Sequence, residues 1–182
     1  MMAKDSIDII EYLYSVNNDL KVRVNTNGGM RNEKDWKRLG ELSAKTTKSN
    51  TLIITFSVDG LEDTNHLYRQ NVNWNTLMRN IKAFINAGGH AQWDYLIFKH
   101  NQHQIEEAKS LAGKLGFREF VPKRALGFEY LGTMKDVPVW NEDGNYSHTI
   151  EAPTDPEYTN FTPDQIKNVR KMPTESHVTF YK

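Results

Sequence analysis

Apolar positions along the chain alternate between the spacing of helices and the spacing of strands. Helical spacing, with apolar residues three or four positions apart, predicts helices over residues 9–16, 33–44, 74–85 and 105–115. Alternating or continuously apolar runs predict strands over residues 20–25, 52–56, 93–98 and 120–121. The glycines at 88, 89 and 116 are expected to end two of the helices, and Pro122 is expected to end the last strand.

This order of elements predicts an α/β fold with a parallel sheet. Strand starts lie roughly 30 to 40 residues apart, which leaves room for a right-handed helical crossover between them. Four such strands fit either an open doubly wound sheet or an arc of a (βα) barrel. Residues 1–126 are predicted to form this unit, and residues 127–182 a carboxyl-terminal extension. Asp143-Gly144 predicts a hairpin in the extension, and from Pro153 onward the composition predicts irregular or extended chain.

Charge and composition exclude several classes of protein. The 182 residues carry 23 Lys and Arg against 23 Asp and Glu, so there is no basic excess of the kind that nucleic-acid binding requires. No apolar run reaches the roughly 18 residues of a membrane span, and the first residues do not resemble a signal peptide. A cytoplasmic protein with no membrane or nucleic-acid partner is expected. Cysteine is absent, so the chain contains no disulfide, no thiolate metal ligand and no cysteine nucleophile.

Polar residues follow each predicted strand, where parallel α/β folds place their sites. They are Thr26 and Asn27 after the first strand, Ser57 and Asp59 after the second, with Arg69 a little later, and Lys99 after the third. Hydroxyls and amides beside glycine suit a ribose or an amino acid, and a guanidinium suits a carboxylate. Each also has a structural explanation: a turn, a helix cap or a surface charge. His100 and His103 provide half of a metal site, and the spacing indicates no third ligand.

Together these segments resemble the radical S-adenosylmethionine (SAM) enzymes, in particular the SPASM subgroup of peptide- and sulfatase-maturing enzymes. The segment from Thr55 to Gly60, Thr-Phe-Ser-Val-Asp-Gly, followed by His66 and Arg69, resembles the fourth barrel strand and its loop. Asn-Thr-Asn-Gly at 25–28 resembles the end of the third strand. Residues 77–89 resemble the helix and glycine before the fifth strand, and residues 95–116 that strand and its helix. The resemblance spans roughly residues 5–124.

The resemblance implies a partial barrel equivalent to strands three to six, with an irregular extension. It implies that Ser57 binds the SAM ribose and that Arg69 faces the methionyl carboxylate. Thr26, Asn27 and Lys99 would line the same pocket, and Asp59 would shape the strand end. A peptide or protein substrate is implied by the subgroup.

The chain departs from the family in the residues that hold its iron–sulfur cluster. Radical SAM chemistry needs a [4Fe-4S] cluster on three cysteines, and this chain has none, so it is not expected to be active alone. One interpretation is a truncated or split core whose cluster half is supplied by a complementary amino-terminal chain. A second is a cluster-less module that binds a nucleotide, a peptide or a partner chain. A third is an unrelated enzyme using His100, His103 and Asp94 or Asp59 on a metal.

A partial barrel would leave the strand at residues 20–25 with an open edge. Such edges pair with other chains, so an oligomeric or poorly soluble chain is expected.

Overall fold

The computed structural model describes residues 3, 5–17, 19–47, 51–125 and 136–159. Helices and strands alternate along most of this length, as the apolar pattern predicts. The elements in chain order are α1 (Ser6–Val16), β1 (Lys21–Thr26), α2 (Glu33–Ala44), β2 (Thr51–Ser57), α3 (Asn65–Tyr68), α4 (Trp74–Asn86), β3 (His90–Ile97), a 3-10 turn (Gln102–Gln104), α5 (Ile105–Leu115), β4 (Glu119–Arg124), β5 (Asp136–Trp140), β6 (Tyr146–Glu151) and α6 (Pro156–Thr159).

The first four strands form one parallel sheet in the order β1-β2-β3-β4. Thr26 lies beside Phe56, Phe56 beside Trp93, and Trp93 beside Phe120, so the register is continuous across the sheet. An α/β fold with four parallel strands is therefore confirmed. The division of the chain at residue 126 stays a prediction, since residues 126–135 lie outside the described part.

The core lies between one face of this sheet and the helices. Residues at alternate positions of each strand face the helices, because successive side chains of a strand point to opposite faces. The core includes an aromatic cluster that spans sheet and helices: Trp36, Phe56, Phe84, Trp93, Phe117 and Phe120. Ring centroids within it are 5.2–6.3 Å apart.

Local signals in the sequence explain where several helices begin and end. The side chains of Asn32 and Asn73 accept the amides of Asp35 and Thr76, and so cap the starts of α2 and α4. Gly116 ends α5 at φ +90°, a left-handed conformation that glycine adopts without strain. These ends lie where the sequence predicts them.

Two predictions about strand and tail are wrong. Strand β4 continues through Pro122 to Arg124 instead of ending at the proline. Since β4 pairs only with β3 in the described sheet, proline occupies an edge strand, where the missing amide costs no ladder bond. The tail forms a short helix at Pro156–Thr159, where irregular chain is predicted. The rest of the predicted extended tail, residues 160–182, lies outside the described residues.

The predicted hairpin is confirmed as antiparallel strands β5 and β6 around Asp143-Gly144. It is bonded to the end of β3, where the Lys99 amide donates to the Glu151 carbonyl over 3.1 Å. His148 Nε2 lies 2.9 Å from the carbonyl oxygen of Leu67 in α3. The hairpin is thereby placed beside the carboxyl ends of the strands.

Within the described residues, no helix has the length and apolarity needed to cross a membrane.

Candidate functional site

The carboxyl ends of β1, β2 and β3 bring most of the predicted site residues to one edge of the sheet. Thr26 at the end of β1 lies beside Phe56, and the next residue of β2 is Ser57. Asp59 follows in the loop after β2, and Arg69 follows directly after α3. Because the strands are parallel, these loops meet at the edge where α/β folds place ligands.

Asp59 is the buried centre of this edge. Its side chain is 0% exposed, and both carboxylate oxygens accept hydrogen bonds. Oδ1 accepts the Leu96 amide of β3 over 2.6 Å, and Oδ2 accepts Arg69 Nε over 2.5 Å. The last backbone bond between the strands joins Val58 N to Asp94 O, so the carboxylate continues the ladder where β2 leaves the sheet.

Burial raises the pKa of Asp59, and the charge of Arg69 opposes that rise. Two N–H donors to the two oxygens favour the ionised carboxylate. Arg69 and Asp59 therefore form a semi-buried ion pair in which the acid is covered and the base reaches the surface.

Two further contacts hold Arg69 in addition to its ion pair with Asp59. It caps the short helix α3, and its amide donates to Asn65 O over 2.8 Å. Its guanidinium carbon lies 5.0 Å from the centre of the Tyr68 ring, which packs on Phe98. The arginine side chain is 25% exposed, and its Nη groups make no hydrogen bond within the described part of the chain.

Three buried amides fix the loops around Asp59, and sequence reasoning assigned none of them this role. Asn101 Nδ2 donates to the carbonyls of Asp59 and Leu96, and its Oδ1 accepts the Phe98 amide. Asn65 Oδ1 accepts the Asp59 amide. Gln104 Oε1 accepts the Leu61 amide. A run of polar residues after a strand is the signal that was available, but it does not identify partners 40 residues away.

The other predicted residues are placed less centrally. Thr26 Oγ1 accepts the Gly28 amide and Asn27 Oδ1 accepts the Gly29 amide, so both shape the turn after β1. Ser57 Oγ makes no hydrogen bond to any described residue. Lys99 forms an ion pair with Glu151 of the hairpin, and this contact raises the pKa of Lys99.

Four histidines lie close enough to one another for their charges to interact. They are His66, His100, His103 and His148. Burial, followed by the charges of the other three, lowers the pKa of His100 to about 4, and its ring stacks on Phe98 at 5.3 Å. Among the described residues, no group of three His, Asp or Glu is arranged to hold a metal ion. The metal-dependent alternative therefore has no support in this part of the chain.

Asp94, the other carboxylate proposed for a metal, belongs to a polar row across the sheet face opposite the core. It forms an ion pair with Lys123 and accepts Gln92 Nε2 over 2.6 Å. Gln92 Oε1 in turn accepts Arg23 over 2.5 Å. Arg23 also donates to Thr55 Oγ1 of β2 over 3.3 Å, so the row joins all four strands, and the Asp94 carboxylate accepts two donors within it.

Comparisons with known proteins give a likeness in fold. No family model matches the chain, and no curated protein matches it. Among solved structures, Streptococcus suis SuiB bound to S-adenosylmethionine matches at 16% identity with a TM-score of 0.53, over 66% of this chain and 26% of SuiB. SuiB bound to its precursor peptide SuiA matches at 16% identity with a TM-score of 0.54, over 70% of this chain and 27% of SuiB. The chain thus shares its fold with about a quarter of the SuiB chain.

Proposed function

We propose that this chain forms part of a radical SAM core, the part that holds the ribose and the methionyl carboxylate of SAM. Ser57 Oγ would bind the ribose, and the Nη groups of Arg69 would bind the carboxylate. Thr26 and Asn27, at the neighbouring strand end, would line the pocket. Lys99 would join them only by leaving Glu151.

One observation carries this proposal: Ser57, whose hydroxyl has no partner among the described residues, ends β2, and Arg69, whose Nη groups likewise have none there, follows the same strand. A hydroxyl and a planar cation are the groups that a ribose-bearing amino acid requires. The fold shared with SuiB, which binds S-adenosylmethionine, supports the choice of ligand. The order of the motifs around Ser57 and Arg69 supports it as well.

The residues present offer the groups that SAM would require, and they offer no ligand for an iron–sulfur cluster. With no cysteine in 182 residues, the chain offers no thiolate to iron. The reductive cleavage of SAM is therefore not assigned to any residue here. A cluster would have to come from cysteines outside this sequence.

Titration calorimetry with SAM tests the proposal. We expect the chain to bind SAM and Arg69→Ala to weaken binding by about tenfold or more, since a hydrogen bond to a charged group contributes roughly 1.5–3 kcal/mol. Ser57→Ala is expected to weaken binding by about twofold to tenfold, since a hydrogen bond between neutral groups contributes roughly 0.5–1.5 kcal/mol. The matched controls are Ser110→Ala on α5 and Arg118→Ala, an exposed arginine whose amide donates to Ala91 O near the start of β3, at the opposite end of the strands. Equal affinity in site and control variants would contradict the assignment, and absence of binding would contradict the proposed function.

We also propose that a complementary segment or chain covers the open side of the sheet. Strand β1 pairs only with β2 in the described sheet. Beside it, α1 exposes one apolar stripe although its opposite side is buried: Ile9, Tyr12, Leu13 and Val16. Ile9 is 55% exposed and Val16 61% exposed. A parallel strand next to β1 with its own helix would bury both features.

Without such a cover, the 182-residue chain is expected to self-associate or to be poorly soluble. Multi-angle light scattering should show species larger than a monomer, and replacing Ile9 and Val16 by lysine should raise the monomer fraction. Val137→Lys, an exposed apolar position on the hairpin, is the control and should leave it unchanged. A soluble monomer in the unmodified chain would argue against an uncovered interface.

A peptide is the proposed substrate class of the assembled core. Its support is the fold shared with SuiB, which binds the precursor peptide SuiA.

A further inference from the structure

The loop that carries Arg69 is anchored at both ends by Asp59. The Asp59 amide donates to Asn65 Oδ1 over 2.9 Å, and its carboxylate accepts Arg69 Nε over 2.5 Å. Asn101 Nδ2 donates a hydrogen bond to the Asp59 carbonyl over 2.9 Å. The backbone and side chain of Asp59 thus fix where the short helix α3 begins and how the Arg69 side chain after it is oriented.

The contact to Arg69 uses one particular side of the guanidinium. Asp59 Oδ2 takes the Nε hydrogen, and the Tyr68 ring lies against the group at 5.0 Å. A guanidinium carries five N–H donors in a rigid plane, so fixing Nε also fixes the direction of both Nη groups. These four Nη hydrogens have no acceptor among the described residues, and the side chain is 25% exposed.

Asp59 itself cannot touch a ligand in this arrangement. Its side chain is 0% exposed, and both of its oxygens are already occupied by N–H donors. Any contribution to binding must therefore pass through Arg69.

We propose that Asp59 is a positioning residue, which holds Arg69 by Nε so that its Nη edge is presented to a ligand carboxylate. This inference rests on the proposed SAM-binding function and names how one part of that site is built. An arginine held in advance loses less conformational freedom on binding, which increases affinity without a new contact.

Two ligands separate positioning from a general structural role. SAM has the carboxylate, and 5′-methylthioadenosine keeps the nucleoside and lacks it. In the full chain, Asp59→Asn is expected to weaken SAM binding by about tenfold and to leave methylthioadenosine binding unchanged. A merely structural defect would weaken both ligands alike. In an Arg69→Ala background, Asp59→Asn should cause no further loss, because the residue acts through Arg69.

A second measurement tests the role of Asp59 without SAM, so its result does not depend on whether the chain binds SAM. In nitrogen-15 NMR spectra, the Arg69 side-chain signals should shift on titration with acetate in the unmodified chain, and at least tenfold more acetate should be needed in Asp59→Asn. Arg79, on the surface of α4 beside Glu33, provides the internal reference.

The outcomes distinguish the two proposals. An acetate response at Arg69 that depends on Asp59, without SAM binding, would retain the positioning role and contradict the SAM function. SAM binding that Asp59→Asn leaves unchanged, or weakens equally for both ligands, would overturn the positioning role alone. An acetate response that is the same with and without Asp59 would overturn it as well.

Discussion

Replacement of Asn101 by aspartate is expected to lower the free energy of unfolding by about 4 kcal/mol at neutral pH, a large part of the stability of a typical domain. The Asn101 side chain is 0% exposed. Its Nδ2 donates over 2.9 Å to each of two carbonyls, those of Asp59 and Leu96. A carboxylate in its place would direct a buried negative charge at both carbonyl oxygens. Only the hydrogen bond from the Phe98 amide, 2.7 Å long to Oδ1, would be retained.

The loss of unfolding free energy caused by Asn101→Asp should grow as the pH rises. Burial among acceptors raises the pKa of the introduced carboxyl in the folded protein above its value of about 3.9 in the unfolded chain. The unfolded state therefore releases its proton first, and the destabilisation grows as the pH rises from about 4. Below that pH the protonated acid can donate to one carbonyl, and much of the loss should be recovered.

Urea unfolding of Asn101→Asp at pH 5 and pH 8 measures this effect. Asn75→Asp is the matched control, since it makes the same change on an exposed position in the first turn of α4. That control should change stability by less than about 0.5 kcal/mol. A loss for Asn101→Asp that is as small as the control, or that is the same at both pH values, would show that this amide does not join the loops as described.

Replacement of Gly40 by alanine is expected to destabilise the protein by about 2 kcal/mol, although alanine is the better helix former. Gly40 lies in α2 where that helix meets α4, and an added Cβ would lie 2.4 Å from the Phe84 carbonyl oxygen and 2.7 Å from Ala87 Cβ. The first contact is with backbone, so the helices must separate. Because backbone must move, we expect an overpacking cost of roughly 3 kcal/mol, at the upper end of the usual range, which exceeds the roughly 1 kcal/mol gained in helix propensity.

Gly113→Ala tests the same substitution where there is space. Gly113 lies in α5, and nothing lies within 4 Å of its added Cβ. This variant should be more stable than the parent by about 0.5–1 kcal/mol, from helix propensity alone. Thermal unfolding of the two variants should give shifts of opposite sign. Shifts of the same sign would contradict the close approach of α2 and α4.

Elements defined by local patterns could be predicted from the sequence. The helices at 33–44 and 105–115 were predicted at the bounds observed, because apolar spacing, an asparagine cap and a terminal glycine act within a few residues. The strand end predicted at Pro122 was wrong. Whether a proline ends a strand depends on whether that strand lies at the edge of the sheet, and this is a property of the whole sheet.

The sequence predicted that the polar residues of the candidate site lie at the same end of the sheet, but it did not predict which residues their side chains contact. Parallel strands place Thr26, Ser57 and Asp59 at one edge, which follows from the order of the elements. The sequence did not indicate that Asp59 is buried, or that its acceptor oxygens bind Leu96 and Arg69. Those bonds join residues 10 and 37 positions apart, and no periodic signal encodes them.

Pro122 has a consequence for how copies of this sheet can add to one another. A strand added beside β4 would find no donor at the proline, whereas β1 at the other edge of the described sheet contains no proline. Addition of β1 of one copy to β4 of the next would repeat without end and produce a fibre, and the proline opposes that contact. Contact between two β1 edges is symmetric and closes after two copies. The sheet is therefore suited to finite pairs, and its second edge acts as a barrier to polymerisation.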